Sequence, residues 1–237
     1  MPAWNEEAMV ERVVREHLRA LEQWSAELAG GEIVCLNDGS RDATGEILDR
    51  LATSERRVRV VHHPQNMGIH ASLVDLYAAA TGTHVYVTAS DGQWPVKNLD
   101  RLMREVLETG ADFVVGVRGN RREIYGIRRL LVSHLFNLIP QMLFGVATGD
   151  AGSNKLARKE LLDTKIVSTS PFAEAERIVK AGLEGATIRS VEIDFQSRST
   201  GKTTGASVRN IVASMRDVFA CLRKYGFRPT RHTPDRP

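Results

Sequence analysis

Asp91 and Gln93 stand two residues apart in the stretch SDGQWP, just past the β-rich run Val85-Tyr86-Val87-Thr88. A carboxylate and a carboxamide leaving one strand end can turn two oxygens to the same small hard cation, Mg2+ or Mn2+. Such a cation keeps several waters and takes its remaining ligands from substrate phosphates. The tripeptide reads equally as a polar turn with Asp91 capping the helix that resumes at Val96. Cationic side chains suited to phosphate oxygens follow. Arg118, Arg121, Arg122, Arg128 and Arg129 crowd the run GVRGNRREIYGIRR, and Arg198, Gly201 and Lys202 lie in QSRSTGKTTGAS. Forked guanidinium donors clamp phosphate in pairs, and glycines let backbone approach an anion. A solvated basic loop is the competing reading of the first run. GKT is not a P-loop, because Gln196 stands where that motif needs its first glycine.

The elements that would carry these groups alternate. Apolar residues at Val10, Val13, Val14, Leu18, Leu21 and Leu28 give a helix within Glu6 to Leu28. Strands are expected at Glu32 to Leu36, Val58 to His62, Val85 to Ala89, Asp112 to Val117 and Ala186 to Phe195. Helices are expected at Arg41 to Leu51, Ile69 to Ala80, Lys97 to Thr109 and Phe172 to Ala181, with a further helix start after Asp150. Strand and helix exchange without hairpin signals, which predicts an α/β fold: a mainly parallel sheet, helices on both faces, and polar turns gathered at one edge. Ligands of such sheets bind outside the carboxyl ends of the strands, where Asp91 lies. The apolar stretch Leu130 to Thr148 contains His134, Asn137, Pro140 and Gln141 and is marginal for a membrane span. It reads as a broken helical pair lying on the domain or on a membrane surface, or as a buried core helix. Ser207 to Tyr225 is an amphipathic helix with Val208, Ile211, Val212, Met215, Val218, Phe219 and Leu222 on one face.

Composition sets the frame. The 237 residues are 42% hydrophobic and 26% charged, enough for one sizeable core. A net charge of +3 suits anionic ligands or an anionic membrane surface. Cys35 and Cys221 form neither a disulfide framework nor a metal cluster, and MPAWNEE is no signal peptide, so a cytoplasmic setting is expected. The expected divisions are a domain over 1–204, an amphipathic helix over 205–227 and a disordered tail over 228–237.

Taken together, PAWNEE, LNDGSRDAT, NMGIHASL and SDGQWP, in this order and spacing, resemble the motif series of family 2 glycosyltransferases with the GT-A fold. GVR, the pattern of Arg129, Leu131, Ser133 and Asn137, and RSTGKT resemble the dolichyl-phosphate mannosyltransferase-like branch. The resemblance covers Pro2 to about Thr204. It implies an inverting, metal-dependent enzyme that moves a sugar from a nucleotide-diphosphate sugar to a polyprenyl phosphate or small-molecule acceptor. Under it, Pro2, Ala3, Trp4, Glu6, Asn37, Asp38, Asn66, Gly68, Ser90 and Asp91 hold the nucleotide sugar, and Asp91 with Gln93 holds the metal. Arg118, Arg129, Arg198 and Lys202 meet leaving-group or acceptor phosphates, and Asp150 is the candidate base for a hydroxyl acceptor. Trp4 packs on base or ribose, or is a core aromatic. A peripheral membrane association and a homo-oligomer are compatible with these assignments, and no nucleic acid is implied.

Three departures from the family pattern bear on activity. Ala89 stands where the family has an aspartate, and Asn37 replaces the first carboxylate of an acidic pair. Both weaken a metal site, which keeps open a non-catalytic nucleotide-sugar-binding or scaffold protein of the same fold. The family also carries an apolar strand ahead of the P-x-x-N-E segment, at a central place in the sheet. Upstream residues, or another segment, are expected to fill that place.

Overall fold

The computed structural model describes residues 1–119, 127–196 and 208–229, with backbone alone for 127–135 and 208. In chain order the elements are β1 (Pro2–Ala3), α1 (Val10–Gln23), β2 (Ile33–Asp38), α2 (Thr44–Ser54), β3 (Val58–His63), α3 (Ile69–Ala79), β4 (His84–Val87) and α4 (Lys97–Thr109). Then come β5 (Phe113–Arg118), α5 (Ile127–Phe144), β6 (Lys155–Arg158), α6 (Lys159–Leu162), α7 (Ala173–Leu183), β7 (Ile188–Ile193) and α8 (Val208–Tyr225). The apolar periods fix them: Val10, Val14 and Leu18 of α1 pack with Ile33 and Cys35 of β2 and with Ile47, Leu48 and Leu51 of α2. A larger core gathers Phe113 and Val115 of β5, Phe144, and Phe172, Ile178 and Val179 about α7.

Two groups of strands result. One is parallel, in the order β1-β2-β3, and the other runs β4-β6-β5-β7. β5 and β7 are parallel, while β6 is antiparallel to both its neighbours. The parallel-rich α/β architecture is the expected one. β6 corrects the helix start expected after Asp150: four residues pair with β4 and β5 before the short α6 begins. Its first residue, Lys155, is fully buried by ion pairing, which hides the strand's core character from a reading of hydropathy. The broken pair expected at Leu130 to Thr148 is one helix, α5, with Pro140 inside it and Gly145 in the left-handed conformation after its end.

β1 covers β2 only at Leu36 and Asn37, and among the described residues no backbone pairing joins it to β4. A partly open pocket of about 190 Å³ lies between β2 and β4, walled by Val34, Tyr77, Val85, Tyr86 and His17. His17 Nδ1 donates to the Val13 carbonyl at 2.8 Å, and its buried Nε2 finds no partner. Burial holds the imidazole pKa below its ordinary value, so the ring is neutral there.

The amphipathic face of α8 is divided. Ser214, Val218 and Cys221 are buried against the core, whereas Ile211, Val212, Met215 and Phe219 remain exposed, Phe219 by 63%. Among the described residues no helix is long and apolar enough to cross a membrane.

Candidate functional site

The carboxyl ends of β1, β2, β3 and β4 meet at one edge, and the turns leaving them form its wall. Pro2 and Ala3 pair with Leu36 and Asn37, which sets the start of the chain beside the end of β2. The Ser90 hydroxyl donates to the Pro2 carbonyl at 2.9 Å and ties the β4 turn to the same point. Trp4 follows, 51% exposed, so it is no core aromatic and its ring is open to a ligand. The Glu6 amide donates to the Thr44 hydroxyl, and Asn5, at a φ of 55°, accepts from the Arg41 amide. The N-terminal segment is thereby clipped to the turn before α2.

Asn37 and Asp38 are both buried at the end of β2. Asn37 Oδ1 accepts from the Ser40 amide and its Nδ2 lies 3.1 Å from His62 Nδ1, so the amide side chain shapes its own turn. Asp38 Oδ1 accepts from His63 Nδ1 at 2.7 Å and from the Met67 amide at 2.8 Å, while Oδ2 accepts from the Gly68 amide at 2.9 Å. Burial alone would raise the Asp38 pKa, but these donors outweigh it and hold the carboxyl below its ordinary range. Gly39 makes the crossing possible. Its φ is +63°, and a Cβ there would stand 2.3 Å from the Gln65 carbonyl carbon. Asn66 is exposed at the rim of this crossing.

Past β4, Asp91 Oδ1 accepts from the Gln93 amide at 3.0 Å, and Gly92, at a φ of +71°, completes the turn. Gln93 Nε2 donates to the Gln196 carbonyl at 3.0 Å, which links the turn to the chain leaving β7. The donor set this offers a cation is one carboxylate and one carboxamide oxygen. That suits Mg2+ or Mn2+ completed by phosphate oxygens. Among the described residues no three His, Cys, Asp or Glu side chains gather into a metal-holding group.

Arg118, the last residue of β5, is locked against Asp150. Its Nε and Nη2 donate to the two carboxylate oxygens at 2.5 and 2.6 Å. The guanidinium also lies over Trp94, at 5.6 Å, and Phe195, at 5.2 Å. The two rings are themselves only 4.6 Å apart, so they meet the guanidinium from one side while Asp150 holds its edge. Asp150, the expected base for a hydroxyl acceptor, is placed here as the partner of a cation. The side chain of Arg129, and all of Arg121, Arg122, Arg198 and Lys202, lie outside the described residues.

Several positioning groups carry no sequence signal of their own. Asn98 of α4 accepts from the Asp194 amide and donates to the Asp194 carbonyl and towards Asn154, whose own amide donates to the Val87 carbonyl. This chain joins the ends of β4, β6 and β7. Below it, Glu174 accepts from Lys155 at 2.6 Å, Tyr77 at 2.7 Å and Arg177 at 3.2 Å. A cleft of about 880 Å³ opens above, touched by Pro2, Met67, Gly68, Thr88, Trp94, Asn154 and Lys155.

Residues 1–164 match the family model described as glycosyl transferase family 2. An undecaprenyl-phosphate 4-deoxy-4-formamido-L-arabinose transferase of Pseudomonas fluorescens strain Pf0-1 is 32% identical over 169 residues, 70% of this chain and 48% of that protein. Its counterpart in strain Pf-5 is 29% identical over 94% of this chain and 63% of its own length. The chain thus spans about half to under two thirds of these curated relatives. Among solved structures, mannosyl-3-phosphoglycerate synthase from Rubrobacter xylanophilus superposes with a TM-score of 0.70 at 20% identity, covering 100% of this chain and 76% of that one. A Mycobacterium tuberculosis glucosyl-3-phosphoglycerate synthase with bound Mn2+, UDP and phosphoglyceric acid gives 0.63 at 21%, over 97% and 78%.

Proposed function

The chain belongs to glycosyl transferase family 2 and has the GT-A architecture, and from that premise we propose that it transfers a sugar, with inversion, from a nucleotide-diphosphate sugar to a polyprenyl phosphate. One observation carries the reading: the turns after β1 and β2, the Asp91 turn of β4 and the Arg118–Asp150 pair of β5 line a single sheet edge. The acceptor class is favoured by the relatives named for undecaprenyl phosphate and by the exposed apolar strip of α8 beside Arg209, Arg216 and Arg223. A peripheral position at a membrane surface follows from the same strip.

Each part has a task. Trp4 stacks on the base or ribose, and the Pro2–Ala3 and Asp38 turns enclose the nucleoside. Asp91 and the Gln93 side-chain carboxamide oxygen would hold a Mg2+ or Mn2+ ion, which when bound would supply positive charge against the leaving diphosphate. As an acceptor oxygen attacks the anomeric carbon from the face opposite the diphosphate, negative charge gathers on the leaving group. Arg118, preoriented by Asp150, Trp94 and Phe195, stands to meet that charge. An acceptor phosphate is already ionised, so Asp150 need not remove a proton and serves to aim Arg118. Arg129, Arg198 and Lys202 remain candidates for the further phosphate contacts.

Ala89 favours a second reading, because it leaves Asp91 as the single carboxylate of its turn. In that reading the protein binds a nucleotide sugar without turning it over. Calorimetric titration of UDP, GDP and dTDP with and without Mn2+ on wild type and Asp91→Ala, followed by transfer to undecaprenyl phosphate in vesicles, tests both. Mn2+-dependent binding lost in the variant, together with transfer, supports the enzyme. Binding without transfer or donor hydrolysis supports the second reading, and no binding removes both.

A further inference from the structure

We propose that His63 is a positioning residue for the donor nucleotide, bridging Asp38 to Asp75 and so fixing the Gln65–Gly68 turn that walls the cleft. The proposal rests on the donor-site reading above and adds a residue that none of the motifs contains. His63 closes β3 with its side chain 6% exposed. Nδ1 lies 2.7 Å from Asp38 Oδ1 and Nε2 lies 2.8 Å from Asp75 Oδ2. Both partners are carboxyl groups, which when ionised can only accept, so the geometry asks both ring nitrogens to donate. An imidazole with both nitrogens protonated is a cation. The Asp38 hydrogen bond raises the His63 pKa, burial opposes it, and Asp75 adds to the rise.

The consequence reaches the cleft through Asp38. The oxygen that meets His63 also receives the Met67 amide, and its twin receives the Gly68 amide. Gly68, at a φ of +88°, then hands its carbonyl to the Ser72 amide and hydroxyl in the first turn of α3. Asp75 belongs to that same helix. The circuit β3, β2, turn, α3 is therefore closed by one side chain, and Met67 and Gly68 face the cleft beside Pro2. If His63 loses its charge, one ring nitrogen presents a lone pair to a carboxylate and one edge of the circuit opens.

Asp38 from β2 and Asp75 from α3 are the charged groups that meet the ring. The neighbouring His62 points to the other face of the strand, towards Asn37 and Asp49 of α2. His70 of α3 senses Arg177, Glu174, Asp217 and Glu176 instead. For a base with a raised pKa, the contribution is complete below its ordinary value near 6.5 and is lost as pH rises through the folded value. Donor affinity should fall in that alkaline direction.

The test is titration of UDP, GDP and dTDP with Mn2+, from about pH 6 to 8.5, on wild type, His63→Asn and Asp75→Asn. Asparagine at 63 keeps a donor towards Asp38 without a charge. The expected result is a wild-type affinity that drops on the alkaline side. His63→Asn should be about tenfold weaker at pH 6 and flat with pH, and Asp75→Asn should have its fall shifted to lower pH. Asp75 is half exposed, so its variant folds even if His63→Asn does not. A wild-type profile flat with pH, or variants that match it in affinity and profile, would overturn the proposal while leaving the donor site standing. Failure of wild type to bind any of the three nucleotides would overturn both.

Discussion

Replacing Glu174 by glutamine should unfold much of this protein's stability margin while removing almost no volume. The carboxylate sits at the start of α7, with Lys155 on one oxygen and Arg177 on the other; both cations have side chains only 2% exposed. Burial alone would raise the Glu174 pKa, but Lys155, Arg177 and the Tyr77 hydroxyl more than reverse that, and the group is held below its ordinary value of about 4.5. Glutamine keeps the shape and cancels the charge. Among the described residues the two buried cations then keep neutral partners, the Ala151 and Leu162 carbonyls. Removing one partner of a buried ion pair costs about 3–5 kcal/mol, against a typical total of about 5–15 kcal/mol. At about 2–4 °C per kcal/mol for a chain of this size, Tm should drop by roughly 6–20 °C. Urea unfolding would read the loss as a lower midpoint at unchanged slope. Adding Lys155→Met to the variant should restore part of the loss, since one stranded cation leaves. The pH dependence has a definite sign: the carboxylate's contribution is present above about pH 4.5 and disappears as pH falls through the lower folded pKa. A Glu174→Gln protein that loses under about 1 kcal/mol would refute the argument and mean that water reaches the cluster.

Trp4→Ala should weaken nucleotide binding about tenfold with Tm within a degree or two of wild type, because the ring is 51% exposed; calorimetry and thermal melts read the two separately. Gly39→Ala forces a Cβ into the Gln65–Asn66 backbone at positive φ and should cost at least about 1–2 kcal/mol, read by urea unfolding, with nucleotide affinity falling alongside. Arg118→Lys keeps the charge but loses the paired contact to Asp150 and the stacking over the adjacent Trp94 and Phe195 rings, so transfer should slow about 10- to 100-fold in a vesicle assay. Asn98→Ala strips the Asp194 amide and carbonyl of their partner and should cost about 1–3 kcal/mol in the same unfolding assay.

What could be read from the sequence was local. Periodic apolar residues announce α1 to α4 and the strands between them, and small polar turns after β2 and β4 announce a ligand edge. β6 escaped because its period contains Lys155, whose burial is arranged by Glu174 nineteen residues later. Pro140 suggested a break that α5 does not make. The Asp38–His63–Asp75 bridge joins three elements, and no spacing within any one of them reveals it. Asp150 was visible as a polar residue in a small turn, but its pairing with Arg118 depends on β5 and β6 being neighbours.

The pairing of the second strand group bears on the order in which the chain can assemble. His84 of β4 meets Arg158 of β6, and Phe113 of β5 meets Ile188 of β7, partners more than seventy residues apart along the chain. Ile33 of β2 meets Val58 of β3 after only 25. Closing a longer loop costs more entropy before any contact is gained, so β2 and β3 are placed to join early, and the group β4-β6-β5-β7 sets the slower step.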